Sequence, residues 1–188
     1  MLGGLVTQLE RSPIVAAVKS EAQLNAAIAS PCSVIFLLCG DICTVGELVE
    51  RAKAGGKCVI VHVDLIAGLS REDVAVDFIR RFTRADGVIS TRPNLVRRAK
   101  ELGLFSVLRV FVIDSMALGN VARQTAQSAP DVIEILPGVM PKVVKRLGEE
   151  VRLPLVVGGL VADKEDVMAA LSAGALAVST TDEALWAE

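Results

Sequence analysis

Leu153-Pro154-Leu155-Val156-Val157-Gly158-Gly159-Leu160 runs from apolar residues and a proline into two glycines, and Ala162-Asp163-Lys164-Glu165-Asp166 then opens a helical pattern. The reading is a short buried strand that ends in a bare turn. Asp163 stands at an expected N-cap, with Asp166 three places on as a relative of the capping box. Bare amides between a strand and a helix suit an anion, because no side chain keeps a ligand from the N–H groups. About twenty residues on, Ala175-Leu176-Ala177-Val178 reads as another strand and ends in Ser179-Thr180-Thr181. A glycine-rich tip beside a hydroxyl-rich tip is what the phosphate cup of a (β/α)8 barrel requires. Taken alone, the glycine pair serves equally well as a tight turn. The second loop moves phosphate ahead.

Working back from this stretch, the same alternation recurs. Strands are expected at Ile14–Val18, Ser33–Cys39, Cys58–Asp64, Gly87–Thr91, Phe105–Ile113 and Val132–Leu136, with helical patterns between them. Ser20 reads as the N-cap of the first of these helices, and Asp41 or Thr44 as the N-cap of the second. Ser70 with Asp73 resembles a capping box ahead of Val74, Phe78 and Phe82. Residues 1–12 read as a lead-in, and Asp182 to Ala187 as a short last helix. Short connections and strict alternation imply parallel strands with right-handed crossovers. Eight such units give the expected fold class, an α/β protein built as a compact (β/α)8 TIM-type barrel, one domain over residues 1–188. An open doubly wound sheet is the alternative, because 188 residues is short for a barrel.

Composition narrows the function. Apolar residues make up 52% of the chain and the mean hydropathy is +0.53, as expected for parallel strands buried on both faces. No apolar run approaches the ~18–20 residues of a membrane span. The N-terminal residues lack a basic region followed by an apolar core, so the expectation is a cytoplasmic protein with no membrane partner. The net charge of −2 does not announce a nucleic-acid binder. Aromatic residues amount to 3%, which argues against base-stacking platforms. Cys32, Cys39, Cys43 and Cys58, with His62 the only histidine, match no zinc spacing. Neither a metal nor a cofactor is expected.

The expected strand ends carry the chemistry. His62 and Asp64 share a parity on strand three, with Asp64 at its tip. Ser90, Thr91 and Arg92 end strand four. Arg109 and Glu134 interrupt apolar runs on neighbouring strands, where an isolated charge costs several kcal/mol to bury. An Arg109–Glu134 pair inside the barrel follows, either functional or merely filling space. His62 reads as a hydrogen-bonded core residue, and Asp114 as a helix N-cap.

Five segments carry a resemblance. They are Val61-His62-Val63-Asp64-Leu65-Ile66-Ala67-Gly68, Gly87-Val88-Ile89-Ser90-Thr91-Arg92, Leu108-Arg109-Val110-Phe111-Val112-Ile113-Asp114-Ser115, Ile133-Glu134-Ile135-Leu136-Pro137-Gly138 and Gly158-Gly159-Leu160. In this order and spacing, with Ser179-Thr180-Thr181 and Leu185-Trp186 closing, the chain resembles the bacterial glycerol-3-phosphate-responsive antiterminators from about Ile14 to Trp186. The resemblance implies a small barrel that senses glycerol 3-phosphate, binds the leader mRNA of glycerol-catabolism genes and lets transcription pass a terminator. On that reading Gly158, Gly159, Leu160, Ser179 and Thr180 hold the phosphate. Asp64, Ser90, Arg109, Glu134 and Gly138 form a polar mouth for the hydroxyls.

Candidate RNA contacts are Arg97, Arg98 and Lys100 on one helix and Lys142, Lys145 and Arg146 on another, with Arg80, Arg81 and Arg84 on a third. Each cluster is also readable as a solvated helix face. A homo-oligomer is compatible with this reading. The alternative function is a barrel enzyme acting on a small phosphorylated substrate with Asp64 and Glu134 as acid and base. No lysine lies inside a strand near its C-terminal end, so Schiff-base chemistry is not expected.

Overall fold

The structure is a computed structural model that describes residues 2–187, with side chains described from residue 5 onward. Met1 and Glu188, the two ends of the expected domain, lie outside the described residues. Eight parallel strands close into a barrel in sequence order: β1 Ile14–Val18, β2 Val34–Leu37, β3 Cys58–His62, β4 Gly87–Ser90, β5 Phe105–Phe111, β6 Val132–Leu136, β7 Leu155–Gly158 and β8 Ala177–Thr180. The ring closes by pairing of β1 with β8, in register from Ile14 opposite Val178 to Ala16 opposite Thr180. The open-sheet alternative is thereby excluded.

Helices follow the strands: α2 Glu21–Ala29, α3 Val45–Ala54, α4 Val74–Phe82, α5 Pro93–Glu101, α6 Ser115–Ser128, α7 Pro141–Val151 and α8 Lys164–Ser172. A 3-10 turn, Glu183–Ala187, follows β8 in place of a helix. The stretch read as a short lead-in holds a further helix, α1, over Leu2–Arg11. Leu5 and Leu9, one turn apart, are buried against barrel residues such as Val15, Val34 and Phe36. The helix therefore seals the N-terminal floor of the barrel, and tertiary burial outweighs the low propensity of its two glycines.

Two apolar layers sandwich the sheet. One lines the barrel interior and includes Val15, Val34, Phe36, Ile60, Ile89, Val107, Val132, Val156 and Ala177. The other lies between sheet and helices and includes Val88, Leu108, Ile133, Val157 and Val178. Strand side chains alternate between the layers with a period of two. This alternation fixes which residues near the C-terminal ends of the strands point into the mouth.

Helix starts explain the loop geometry. Ser20, Asp114 and Asp163 cap α2, α6 and α8 by accepting hydrogen bonds from Gln23 N, Ala117 N and Asp166 N. At α8 the reciprocal bond exists but lands one residue early, with Ala162 N donating to Asp166 Oδ2 at 3.0 Å. The box expected from Ser70 and Asp73 does not form. Ser70 Oγ instead accepts from Glu72 N, and Asp73 already has helical dihedrals without a capping bond. Before α3, Asp41 rather than Thr44 does the capping, accepting from Cys43 N and Thr44 N.

A polar mouth built over a bare strand tip

The interior parity brings His62 (β3), Arg109 (β5), Glu134 (β6), Gly158 (β7) and Ser179 (β8) to the top of the barrel lumen. Arg109 and Glu134 are register partners, and Arg109 Nε donates to Glu134 Oε2 at 2.5 Å. Glu134 is fully buried, and Arg109 is 8% exposed. The guanidinium keeps its two terminal nitrogens without a hydrogen bond among the described residues. The other carboxylate oxygen, Oε1, accepts from Ser179 Oγ at 2.6 Å. That bond runs from β6 to β8 across β7, where Gly158 stands. A Cβ on Gly158 would lie 2.2 Å from Ser179 Oγ and 3.2 Å from Glu134 Oε1. Glycine is required here because the polar pair occupies the space of a side chain.

Past Gly158 the backbone turns left-handed at two successive residues, Gly159 with φ +74° and Leu160 with φ +61°. A leucine in this region is uncommon, and such strain collects at ligand sites. The Leu160 side chain is 75% exposed, so packing does not hold it there. The N–H groups of Gly159, Leu160 and Thr181 make no hydrogen bond among the described residues. Gly138, after the cis Leu136–Pro137 peptide, donates its N–H to Gly159 O at 3.0 Å, and a Cβ on it would lie 3.2 Å from Gly158 N and O. β7 and β8 are adjacent, with Gly158 opposite Ser179. The two tips thus meet on one side of the mouth.

On the other side, Asp64 lies beyond the end of β3, in a 3-10 turn over Val63–Leu65 rather than on the strand. Its carboxylate is fully engaged. Oδ1 accepts from Ser90 Oγ at 2.9 Å, and Oδ2 accepts from Thr91 N at 2.7 Å and Thr91 Oγ1 at 3.0 Å. Arg92 Nε approaches Oδ1 at 3.4 Å without hydrogen-bond geometry. Burial pulls the Asp64 pKa upward. The Thr91 N–H and the Ser90 and Thr91 hydroxyls outweigh it and hold the carboxyl below its ordinary range.

His62 is buried, as expected, but its Nδ1 has no hydrogen-bond partner among the described residues and lies 4.0 Å from Asp64 Oδ2. Burial first and the Arg109 charge second push its pKa down to about 4, so the ring is neutral at pH 7.

Ser90 and Thr180 have the opposite parity. They share a face with Val88 and Val178 and lie toward the helices. Ser90 bonds Asp64 and accepts from Arg92 N, and Thr180 Oγ1 accepts from Asp182 N. Both therefore shape loops from behind. The rim itself carries exposed apolar side chains from the end of β5 to the start of α6, Phe111, Ile113 and Met116, and after β7, Leu160.

The basic clusters are unlike one another. On α5, Arg98 pairs with Asp77 and Glu101, Lys100 with Asp131 and Arg97 with Glu101. On α7, Arg146 pairs with Glu150, while Lys142 and Lys145 are exposed with no ion pair among the described residues. On α4, Arg81 stacks on Phe82; Arg84 lies past the end of that helix rather than on it, and pairs with Glu50.

No helix among the described residues is long and apolar enough to cross a membrane. Sequence reasoning missed α1, the left-handed Leu160 and the engagement of Asp64. The Leu5–Leu9 spacing was the available signal for the first; no sequence signal marked the other two.

Comparison with known proteins gives a consistent picture. The family model described as glycerol-3-phosphate responsive antiterminator matches residues 14–186. A protein of Escherichia coli K12, described as uncharacterized protein YgcP, is 44% identical over 182 residues, covering 97% of this chain and 95% of that one. The crystal structure of a glycerol uptake operon antiterminator regulatory protein from Listeria monocytogenes is 33% identical and superposes with a TM-score of 0.89, over 92% of this chain and 94% of that chain. A glycerol uptake operon antiterminator-related protein from Thermotoga maritima is 31% identical, with a TM-score of 0.83 over 93% and 98% of the two chains.

Proposed function

Because the chain belongs to the glycerol-3-phosphate responsive antiterminator family, we propose that it is a sensor for glycerol 3-phosphate whose liganded form acts on the leader mRNA of glycerol-catabolism genes. The observation that carries this reading is the left-handed tip of β7, bare at Gly158 and Gly159, beside the tip of β8, with the Gly159, Leu160 and Thr181 N–H groups unengaged among the described residues. The phosphate sits on these amides, where three donors meet its charge and Gly158 and Gly159 leave the approach open.

Ser179 serves the site indirectly. Its single hydroxyl proton is committed to Glu134, so it holds the carboxylate rather than the phosphate. Gly158 leaves room for that pair, Gly138 fixes the Gly159 carbonyl, and Thr180 shapes the loop after β8. The terminal nitrogens of Arg109 and a remaining lone pair of Glu134 meet the two ligand hydroxyls. Asp64 and Ser90 position the loops after β3 and β4. Ligand binding shifts the population toward one arrangement of the βα loops, and RNA reads that arrangement. Of the candidate clusters, Lys142 and Lys145 are the better placed for phosphate contacts, because Arg97, Arg98 and Lys100 on α5 are neutralised by Glu101, Asp77 and Asp131.

The test is a thermal-shift comparison of glycerol 3-phosphate, glycerol and inorganic phosphate, with Gly159→Glu as the control. The phosphate ester should raise the melting temperature most, and Gly159→Glu should abolish the rise. No stabilisation by the ester removes the sensor reading. Leader RNA binding should require the ester and weaken steeply with salt. Turnover of a triose or pentose phosphate, lost in Asp64→Asn, would favour an enzyme instead.

A further inference from the structure

The floor of the barrel holds an unexplained charge. Where α1 crosses the N-terminal ends of the strands, it leaves a cavity of about 440 Å³ beneath β3, β4 and β5. Leu5, Leu104 and Phe105 form an apolar wall, and Lys53, Lys57 and Arg80 stand around it with Asp86. Lys53 is accounted for, because its ammonium bonds both oxygens of Asp86 at 2.7 and 2.8 Å. Lys57 is not. It is only 9% exposed, and its ammonium donates to two carbonyls, Ser30 O at 2.6 Å and Cys32 O at 2.8 Å. No carboxylate pairs with it among the described residues, and its two carbonyl bonds use two of an ammonium's three donors. Arg80 likewise has no acidic partner among the described residues. Its one hydrogen bond is a long one, from Nε to Leu102 O at 3.4 Å.

Burying a cation without a counter-ion is costly, and the cost is carried where a ligand repays it. The volume falls within the range of small-molecule sites, and an apolar wall with a few convergent charges is their usual chemistry. The Cys58 thiol, which also lines the space, is pushed up by burial and by Asp86, so it adds no negative charge of its own.

We propose that this cavity is a second ligand site, at the opposite end of the barrel from the mouth, for a small organic anion whose phosphate or carboxylate lies between Lys57 and Arg80 and whose apolar body packs on Leu5, Leu104 and Phe105. The site shares no residue with the mouth, so its occupancy is independent of the glycerol 3-phosphate reading.

The experiment follows backbone amide shifts of the full chain during titration with phenyl phosphate and, separately, with benzoate. Saturable shifts are expected at Lys57, Cys58, Leu104 and Phe105 with at least one of the two anions, and which anion does so identifies the headgroup. Arg80→Gln, an exposed change that leaves the core intact, and Lys57→Met should each weaken binding by about tenfold or more, the scale of one charge-assisted hydrogen bond. No saturable shift at these amides with either anion overturns the proposal. So does undiminished binding in folded Arg80→Gln.

Discussion

The two ends of the barrel solve the same packing problem differently. At the floor, α1 lays Leu5 and Leu9 over an apolar lumen, and the core is continuous from helix to strands. At the mouth the lumen ends in a layer of charge and hydroxyl, Arg109, Glu134, Ser179 and His62, around a strand residue with no side chain. The first arrangement favours stability. The second trades it for groups that a polar ligand can meet, in keeping with the division of labour between the faces of such barrels.

The contrast breaks most sharply at the buried ion pair. Arg109→Met leaves the Glu134 carboxylate unpaired in the lumen and should cost about 3–5 kcal/mol, measured by urea unfolding. Adding Glu134→Leu should return most of that loss. If the double variant is no more stable than the single one, the mouth is held by something other than this pair.

His62 sharpens the comparison through pH. Its folded pKa of about 4 lies below the ordinary 6.5, so the unfolded chain binds the proton more readily between the two values. The contribution is complete above about pH 6.5 and is lost as pH falls toward 4, on the order of 3 kcal/mol. Urea midpoints across this window should fall with pH, and His62→Gln should flatten the fall.

Gly158→Ala should cost about 1–3 kcal/mol by overpacking against Ser179 Oγ. Pairing it with Ser179→Ala should recover part of that loss, because the closest clash is with the hydroxyl. The smallest effect belongs to Leu160. Leu160→Asn, which tolerates a positive φ, should be stabilising by up to about 0.5 kcal/mol. Leu160→Val should be destabilising by about 1 kcal/mol in thermal unfolding.

The barrel was readable because parallel strands announce themselves. Val59 to Val61, Val107 to Val110 and Val132 to Leu136 are runs that only burial on both faces explains, and the glycines, serines and aspartates between them are turn and cap residues. The Arg109–Glu134 pair was readable for the same reason, since each charge interrupts such a run. Parity at the tips was harder to read. Strand eight runs on through Ser179 to Thr180 rather than stopping at Val178, so alternation turns Ser179 into the lumen and Thr180 away from it. Asp64 looked free to meet a ligand because its partners, Ser90 and Thr91, come from another strand end, and nothing local announces them. α1 was missed because Gly3 and Gly4 argue against a helix, and only the barrel floor it covers supplies the reason for one.

The Ser179–Glu134 bond has a mechanical consequence. It passes over Gly158 and is continued to β5 by Arg109, so it fastens β5, β6 and β8 into one stiff arc with β7 clasped beneath. The mouth cannot dilate on that side without rupturing the clasp. Adaptation to a guest must then come from the opposite quadrant, where the β3 and β4 loops are joined to each other through Asp64 but, among the described residues, have no comparable tie to the arc.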